Sequence, residues 1–188
     1  MSVPAQLRAA PVIETPRLLL RAHRLDDFDA YAAMWADPDV TRFIGGKPLS
    51  RELSWARLLR KAGYWPMLGF GFWAIEERAS GNLIGELGFL ELRRELTPSI
   101  EGTPEVGWGL IPEAQGKGLA SEALQAVLAW GDAHFSGADF VCIISPDNTR
   151  SIAVAERFGF REDARAVYHE SPSVIFRRPG AGRGTGSL

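Results

Sequence analysis

Apolar residues change their spacing repeatedly along this chain, and each change predicts an element. Leu18-Leu19-Leu20, held between Arg17 and Arg21, reads as a first strand. Asp26 is placed to N-cap a helix through Trp35, with Phe28, Tyr31, Ala32 and Trp35 on one face. Asp37-Pro38 stops that helix and Gly45-Gly46 breaks the chain again. Ser50 starts a second helix with Leu53, Leu58 and Leu59 as its apolar stripe. The stretches 70–77 and 83–91 flank Arg78-Ala79-Ser80-Gly81-Asn82 and predict a hairpin. Residues 92–103 read as a loop, 105–111 as a strand with Gly107 and Gly109 inside it, and 119–134 as an amphipathic helix. A buried strand over 138–145, a helix from about 149 to Phe158-Gly159-Phe160, and closing antiparallel strands over 161–169 and 173–178 complete the pattern. The glycines within 105–111 suit a bulge or a close backbone approach, or simply leave room beside Trp108.

The order is strand, two helices, three strands, helix, strand, helix, two strands, which is a mixed α/β arrangement with one strand–helix–strand crossover. We expect one domain over residues 12–178, a flexible N-terminus over 1–11, and a disordered, glycine-rich tail over 179–188. With 188 residues, 46% of them hydrophobic and 23% charged, the chain can bury a sizeable core. A formal net charge of −2 gives no reason to expect a nucleic-acid partner or an anionic membrane surface. No apolar run approaches the ~20 residues of a spanning helix. The single cysteine, Cys142, excludes an internal disulfide, and a reducing cytoplasm is the simplest compartment. His23, His134 and His169 share no ligand spacing with Cys142, so no metal site is expected.

The chemistry is concentrated in Gln115-Gly116-Lys117-Gly118-Leu119-Ala120, between the 105–111 strand and the 119–134 helix. A glycine-rich turn entering a helix presents several N–H groups in one direction, and the helix dipole adds partial positive charge there. Such a turn can cradle a phosphate with backbone alone; a plain strand-to-helix turn is the alternative. Lys117 is followed by Gly118, so the Gly-Lys-Ser/Thr ending of a nucleotide P-loop is absent. No Gly-x-Ser-x-Gly elbow supports a hydrolase.

Gln-x-x-Gly-x-Ala after a short strand resembles the acyl-CoA pyrophosphate loop of the GNAT superfamily of N-acetyltransferases. Pro146-Asp147-Asn148-Thr149-Arg150-Ser151 resembles its second cofactor element, an Asn-x-x-Ser helix closed by Gly-Phe. Thr15-Pro16-Arg17-Leu18-Leu19-Leu20-Arg21 and Asp37-Pro38-Asp39-Val40 look like the branch that includes the ribosomal-protein N-terminal acetyltransferases. The resemblance covers roughly residues 12–178. It implies a GNAT-like acyl-CoA N-acyltransferase fold, with a central, mostly antiparallel sheet splayed at a cofactor wedge. It also implies acetyl-CoA as co-substrate and an amine acceptor, either a protein N-terminus or a small molecule, attacked directly in a ternary complex. A non-catalytic acyl-CoA-binding module is the alternative. A homodimer through the C-terminal strands rests on analogy alone.

Carried onto this chain, the resemblance makes Gln115, Gly116, Lys117, Gly118, Leu119, Ala120 and Ser121 the pyrophosphate loop, with main chain mattering more than side chains. Lys117 either meets a phosphate as a point charge or stands solvated. Asn148 has an amide suited to the pantetheine arm and can also N-cap its helix. The backbone N–H of Leu110 is the candidate oxyanion donor, ahead of Trp108. Many relatives carry a tyrosine seven residues after the motif asparagine, where this chain has Ala155. Ser151 is then the candidate to hydrogen-bond the sulfur, with Tyr168 as a second source of a proton. Glu105 is the first candidate for the base and Glu86 the second, because Glu86 lies in an otherwise apolar strand where a carboxylate needs partners or a wet cleft. Trp35, Phe43 and Glu86 are the candidate acceptor-site residues, with Trp65 and Trp73 as further walls; core packing is the alternative for each aromatic.

Overall fold

The computed structural model describes residues 8–180. One eight-stranded sheet has the order β1-β2-β3-β4-β5-β6-β8-β7. The pairings β1–β2, β2–β3, β3–β4, β6–β8 and β7–β8 are antiparallel, and β5–β6 is parallel. Parallel pairing is confined to Glu105 opposite Val141, supported by the Val141 N–H donating to the Pro104 carbonyl. The chain forms two compact units that interleave in sequence, one holding residues up to Phe89 plus Trp108–Ala126, the other Leu90–Gly107 plus the chain from Val127 onward.

The first unit contains β1 (Ile13–Glu14), β2 (Leu18–Arg21), α1 (Phe28–Ala36), α2 (Pro38–Thr41), α3 (Arg51–Leu68), β3 (Phe72–Glu77), and β4 (Leu83–Leu90) as far as Phe89. It also takes the end of β5 (Glu105–Leu110) and the first half of α4 (Leu119–His134). Its helices pack through Tyr31, Met34, Trp35, Val40 and Leu58, joined by Ile44, Leu83 and Ile111. Burying each such large side chain is worth about 1.5–3 kcal/mol. Trp65 and Trp73 meet edge to face at 4.7 Å, and the Trp65 indole N–H donates to the Phe72 carbonyl.

Several local devices differ from the sequence expectation. A 3-10 turn over Leu25–Asp27 precedes α1, and Asp27, not Asp26, is the residue that works there. The Asp27 carboxylate accepts from the Arg24 N–H at 2.7 Å and from the Arg21 guanidinium at 2.7 and 2.8 Å. Ser50 caps α3 as expected, accepting from the Leu53 N–H. The buried face of α3, however, is Ser54, Leu58, Lys61 and Trp65, while Leu53 and Leu59 are exposed. Gly109 makes room for Ile44 and Met34, whose side chains lie 3.3 and 3.4 Å from where a Cβ would stand. Register shifts fall at Ile75/Glu76 and Glu162/Ala164, and the close backbone approach expected of the 105–111 glycines occurs at Gly109, whose carbonyl oxygen a Cβ on Gly85 would strike. Ala10 is buried and the Pro11 carbonyl accepts from the Trp73 indole, so the chain is fixed from residue 10.

The second unit contains the 92–103 loop, the start of β5, the second half of α4, β6 (Phe140–Ile144), α5 (Thr149–Arg157), β7 (Arg161–Tyr168) and β8 (Ser171–Arg178). Leu96 and Ile100 of the loop pack on Val141 and Ile175. Arg178 clasps Asp132 with two hydrogen bonds. Gly180 donates its N–H to Asp139; the rest of the expected tail, 181–188, and residues 1–7 lie outside the described residues.

Candidate active site

The Gln115–Ala120 turn belongs wholly to the first unit. Gly116 and Gly118 sit at φ +74° and +77°, a left-handed conformation that glycine adopts without a Cβ penalty. Nothing lies within 4 Å of where a Gly116 Cβ would be, so the main chain is open to an approaching group. Among the described residues, the N–H groups of Gly116, Lys117, Gly118, Leu119 and Ala120 have no protein acceptor. These donors stand at the start of a 16-residue helix, where the dipole favours an anion. The Gln115 side chain is used differently: its amide donates to the Leu110 carbonyl at 3.0 Å and clasps the end of β5 to the turn. The turn therefore fits a diphosphate held by backbone. Leu110 itself is buried.

In the second unit, Asn148 N-caps α5, its side-chain oxygen accepting from the Ser151 N–H at 3.2 Å. That leaves the Asn148 amide NH2 for another acceptor. Ser151 is half-buried in the first turn. Ala155, at the position of the relatives' tyrosine, is fully buried, and its carbonyl accepts from the Phe158 and Phe160 N–H groups. Tyr168 carries the Arg94 guanidinium 4.6 Å above its ring.

The two candidate bases are both buried and both engaged. Glu105 is held by Arg94 through two hydrogen bonds of 2.7 and 2.8 Å. It lines a shallow depression with Glu91, Arg93, Arg94, Glu101 and Thr103. Glu86 does not face a wet cleft. It is 1% exposed and lies 3.0 Å from Tyr31 Oη, 3.0 Å from Arg57, 3.4 Å from Lys61 Nζ and 3.3 Å from His23 Nε2. Burial opposes its charge, but Lys61 and Arg57 outweigh that and hold its carboxyl far below the usual range. Burial pushes the Lys61 ammonium down to about 7, against the pull of Glu86. Tyr31 is pushed well above its ordinary value by burial and by the Glu86 charge. A carboxylate so surrounded is a structural counter-ion.

The aromatic wall expected around an acceptor is likewise core. Trp35 is 1% exposed beneath the Arg57 guanidinium, which stacks 3.7 Å above its ring, and Trp65 and Trp73 are buried against each other. These indoles are large enough that only the interior removes most of their surface from water. Phe43 alone of the group is half-exposed, with Arg42 5.1 Å from its ring. Cys142 is buried, and its thiol is pushed far up by burial, with the Glu105 charge adding to this; it is not a nucleophile. Among the described residues no group of three or more His, Cys, Asp and Glu is placed to hold a metal ion, and no helix is long and apolar enough to cross a membrane.

Residues 17–161 match the family model described as an acetyltransferase (GNAT) domain. This chain is a GNAT acetyltransferase-family protein. The family's reaction is acyl transfer from acyl-CoA. The uncharacterized N-acetyltransferase YoaA of Bacillus subtilis is 28% identical to this GNAT chain over 154 residues, covering 81% of it and 84% of YoaA. A structure of a GnaT-family protein from Bordetella pertussis superposes with a TM-score of 0.81 at 32% identity, covering 90% of this chain and 99% of that one. RimL, a ribosomal L7/L12 alpha-N-protein acetyltransferase solved in complex with coenzyme A, shares the fold with a TM-score of 0.75 at 18% identity, covering 92% and 100% of the two chains.

Sequence reasoning did not single out Arg94 or the Tyr31, Arg57 and Lys61 partners of Glu86. The second group had a readable signal. Ser54, Leu58, Lys61 and Trp65 follow 4-3-4 spacing on one helix face, which puts Lys61 inside and leaves Glu86 as the lone acid of an apolar strand to meet it. Arg94 lies in a loop without periodicity and had none.

Proposed function

We propose that this GNAT protein transfers an acetyl group from acetyl-CoA to a primary amine by direct attack in a ternary complex. The observation that carries the reading is the open Gln115–Ala120 turn, with five unpartnered N–H donors at the head of α4. The diphosphate is assigned to Gly116, Lys117, Gly118, Leu119, Ala120 and Ser121, and the pantetheine amides to the free NH2 of Asn148. Bound acetyl-CoA supplies the electrophilic thioester; the Leu110 N–H is assigned to the carbonyl oxygen as negative charge develops there. The Ser151 hydroxyl is assigned to the sulfur.

The engagement of Glu105 by Arg94 bears on the acceptor. An α-amino group, with a pKa near ~8, is partly neutral at physiological pH, whereas a lysine-type amine near ~10.4 needs a strong base. With Glu105 clamped and Glu86 enclosed, an α-amine is the better acceptor, and a protein N-terminus or a small α-amine satisfies that chemistry. Positioning of amine and thioester then supplies much of the rate.

A second reading, a binding module that holds acyl-CoA without transfer, draws support from Ala155 in place of the tyrosine. One experiment separates the two. The protein is incubated with acetyl-CoA and a mixed panel of peptides and small amines, with mass spectrometry for an added acetyl group and parallel detection of released thiol. An acetylated α-amine with matching thiol release is the expected result. Tight acetyl-CoA binding with no thiol released over the panel favours the module. Absence of acetyl-CoA binding overturns both.

A further inference from the structure

The residue that braces the phosphate turn is not in the turn. Arg17 stands just before β2, a hundred residues away in sequence, and reaches both Lys117 inside the Gln115–Ala120 segment and Glu122 just past it. Its Nη1 donates to the Lys117 carbonyl at 2.9 Å. Its Nε donates to Glu122 Oε2 at 2.6 Å, and its backbone N–H donates to Glu122 Oε1 at 2.8 Å. Thr15 Oγ1 completes the set by donating to Glu122 Oε1 at 2.6 Å. All of these groups lie in the first unit.

The arrangement has two consequences. Glu122 is in the first turn of α4, so its charge stands where a diphosphate must come. Desolvation opposes that charge, but Thr15 and Arg17 outweigh it and hold the carboxyl below its ordinary range, so Glu122 stays ionised. Left alone it would repel an anion; Arg17 neutralises it. The Lys117 carbonyl, meanwhile, is fixed by Nη1, and this sets the peptide plane whose N–H belongs to Gly118. A guanidinium has five N–H donors, and two are used here. The remaining three have no protein acceptor among the described residues. Arg17 Nη2 lies 3.6 Å from where a Gly118 Cβ would stand, and the side chain is half exposed.

We propose that Arg17 is the positioning residue of the phosphate turn: braced by Glu122, it fixes the Lys117–Gly118 peptide from its carbonyl side, so that the Gly118 N–H on the opposite edge is aimed at the phosphate. This rests on the acyl-CoA reading above, and it explains why Arg17, Thr15 and Glu122 work as one group. Charge alone does not meet the requirement, because the bridge needs two donors held in one plane, which lysine lacks.

The test is acetyl-CoA titration of the full chain, followed by calorimetry and by the amide resonances of Gly116, Gly118, Leu119 and Ala120. In the unchanged protein acetyl-CoA should shift those amides. Arg17→Gln should weaken binding by about tenfold or more, the scale of losing hydrogen bonds to a charged group. Its ligand-free resonances should differ from the unchanged protein mainly at residues 116–122. Arg17→Lys should bind as weakly as Arg17→Gln. Unchanged affinity in Arg17→Gln overturns the proposal. So does recovery by Arg17→Lys, which would make the side chain a general positive charge. Changes spread across the ligand-free spectrum would overturn it in favour of a role in folding. If the unchanged protein shows no response at all to acetyl-CoA, the acyl-CoA reading itself falls, a result distinct from failure of the variants.

Discussion

Each of the two units buries a glutamate on a strand, and they compensate it in different ways. In the first, Glu86 is enclosed with Tyr31, Arg57, Lys61 and His23, and its side chain is 1% exposed. In the second, Glu105 has one arginine, bound by both nitrogens, whose side chain keeps 15% exposure and overlies Tyr168. Removing charge from the first site strands several groups in the interior. Removing it from the second frees one guanidinium that can turn toward water. A buried carboxylate is thus not by itself a catalytic base; the number and exposure of its partners decide what it can do.

Substitution at Glu86 should therefore give the largest effect. Glu86→Ala leaves Arg57 and Lys61 without a counter-charge, and breaking a buried pair in this way costs about 3–5 kcal/mol. Denaturant midpoints will show it. Glu105→Ala should cost less, about 1.5–3 kcal/mol, the scale of hydrogen bonds to a charged group. If the two variants lose equal stability, the contrast between the units is wrong.

Next in size is a pH effect confined to the first unit. Lys61 titrates near 7 when folded and near 10.5 when unfolded. Between those values the unfolded chain holds a proton that the folded one lacks, so stability rises with pH across the window. One proton corresponds to at most about 1.4 kcal/mol per pH unit. Lys61→Met should flatten the rise between pH 7 and 10, measured by denaturation at a series of pH values. Glu86 has linkage of the same sign in the acid range: its depressed carboxyl stabilises above the unfolded value, and that contribution is lost as acid lowers the pH through the folded one. A Lys61→Met profile as steep as the unchanged protein's would mean that the lysine is hydrated.

What the sequence made legible follows the same division between periodic and paired features. Helix α4 falls on 119–134 as its amphipathic spacing requires, and the hairpin turn at 78–82 stands between β3 and β4. Both depend on local periodicity and turn chemistry. Lys61 and Glu86 were less legible because a charge in an apolar pattern reads as an edge or a cleft until its partner is known. The exposed Leu53 and Leu59 made the α3 stripe look rotated, since leucines outnumber the serine and lysine that face inward. The phosphate turn was readable as a motif, but its brace was not: Arg17 meets Glu122 across 105 positions, and no spacing rule joins them.

The smallest expected effect tests the role of Asn148 in the second unit. Its oxygen caps α5 through the Ser151 N–H, and replacing such a cap by alanine costs about 1 kcal/mol. Asn148→Asp keeps the acceptor oxygen and so the cap, but removes the NH2 assigned to pantetheine. Asn148→Ala removes both. Stability measured by denaturation should fall in Asn148→Ala and remain near the starting value in Asn148→Asp, because an aspartate is as good a cap as an asparagine. Acetyl-CoA affinity should fall in both variants if the NH2 meets the pantetheine arm. Full affinity in Asn148→Asp would confine Asn148 to capping. Cofactor recognition would then rest on the main chain of the Gln115–Ala120 turn.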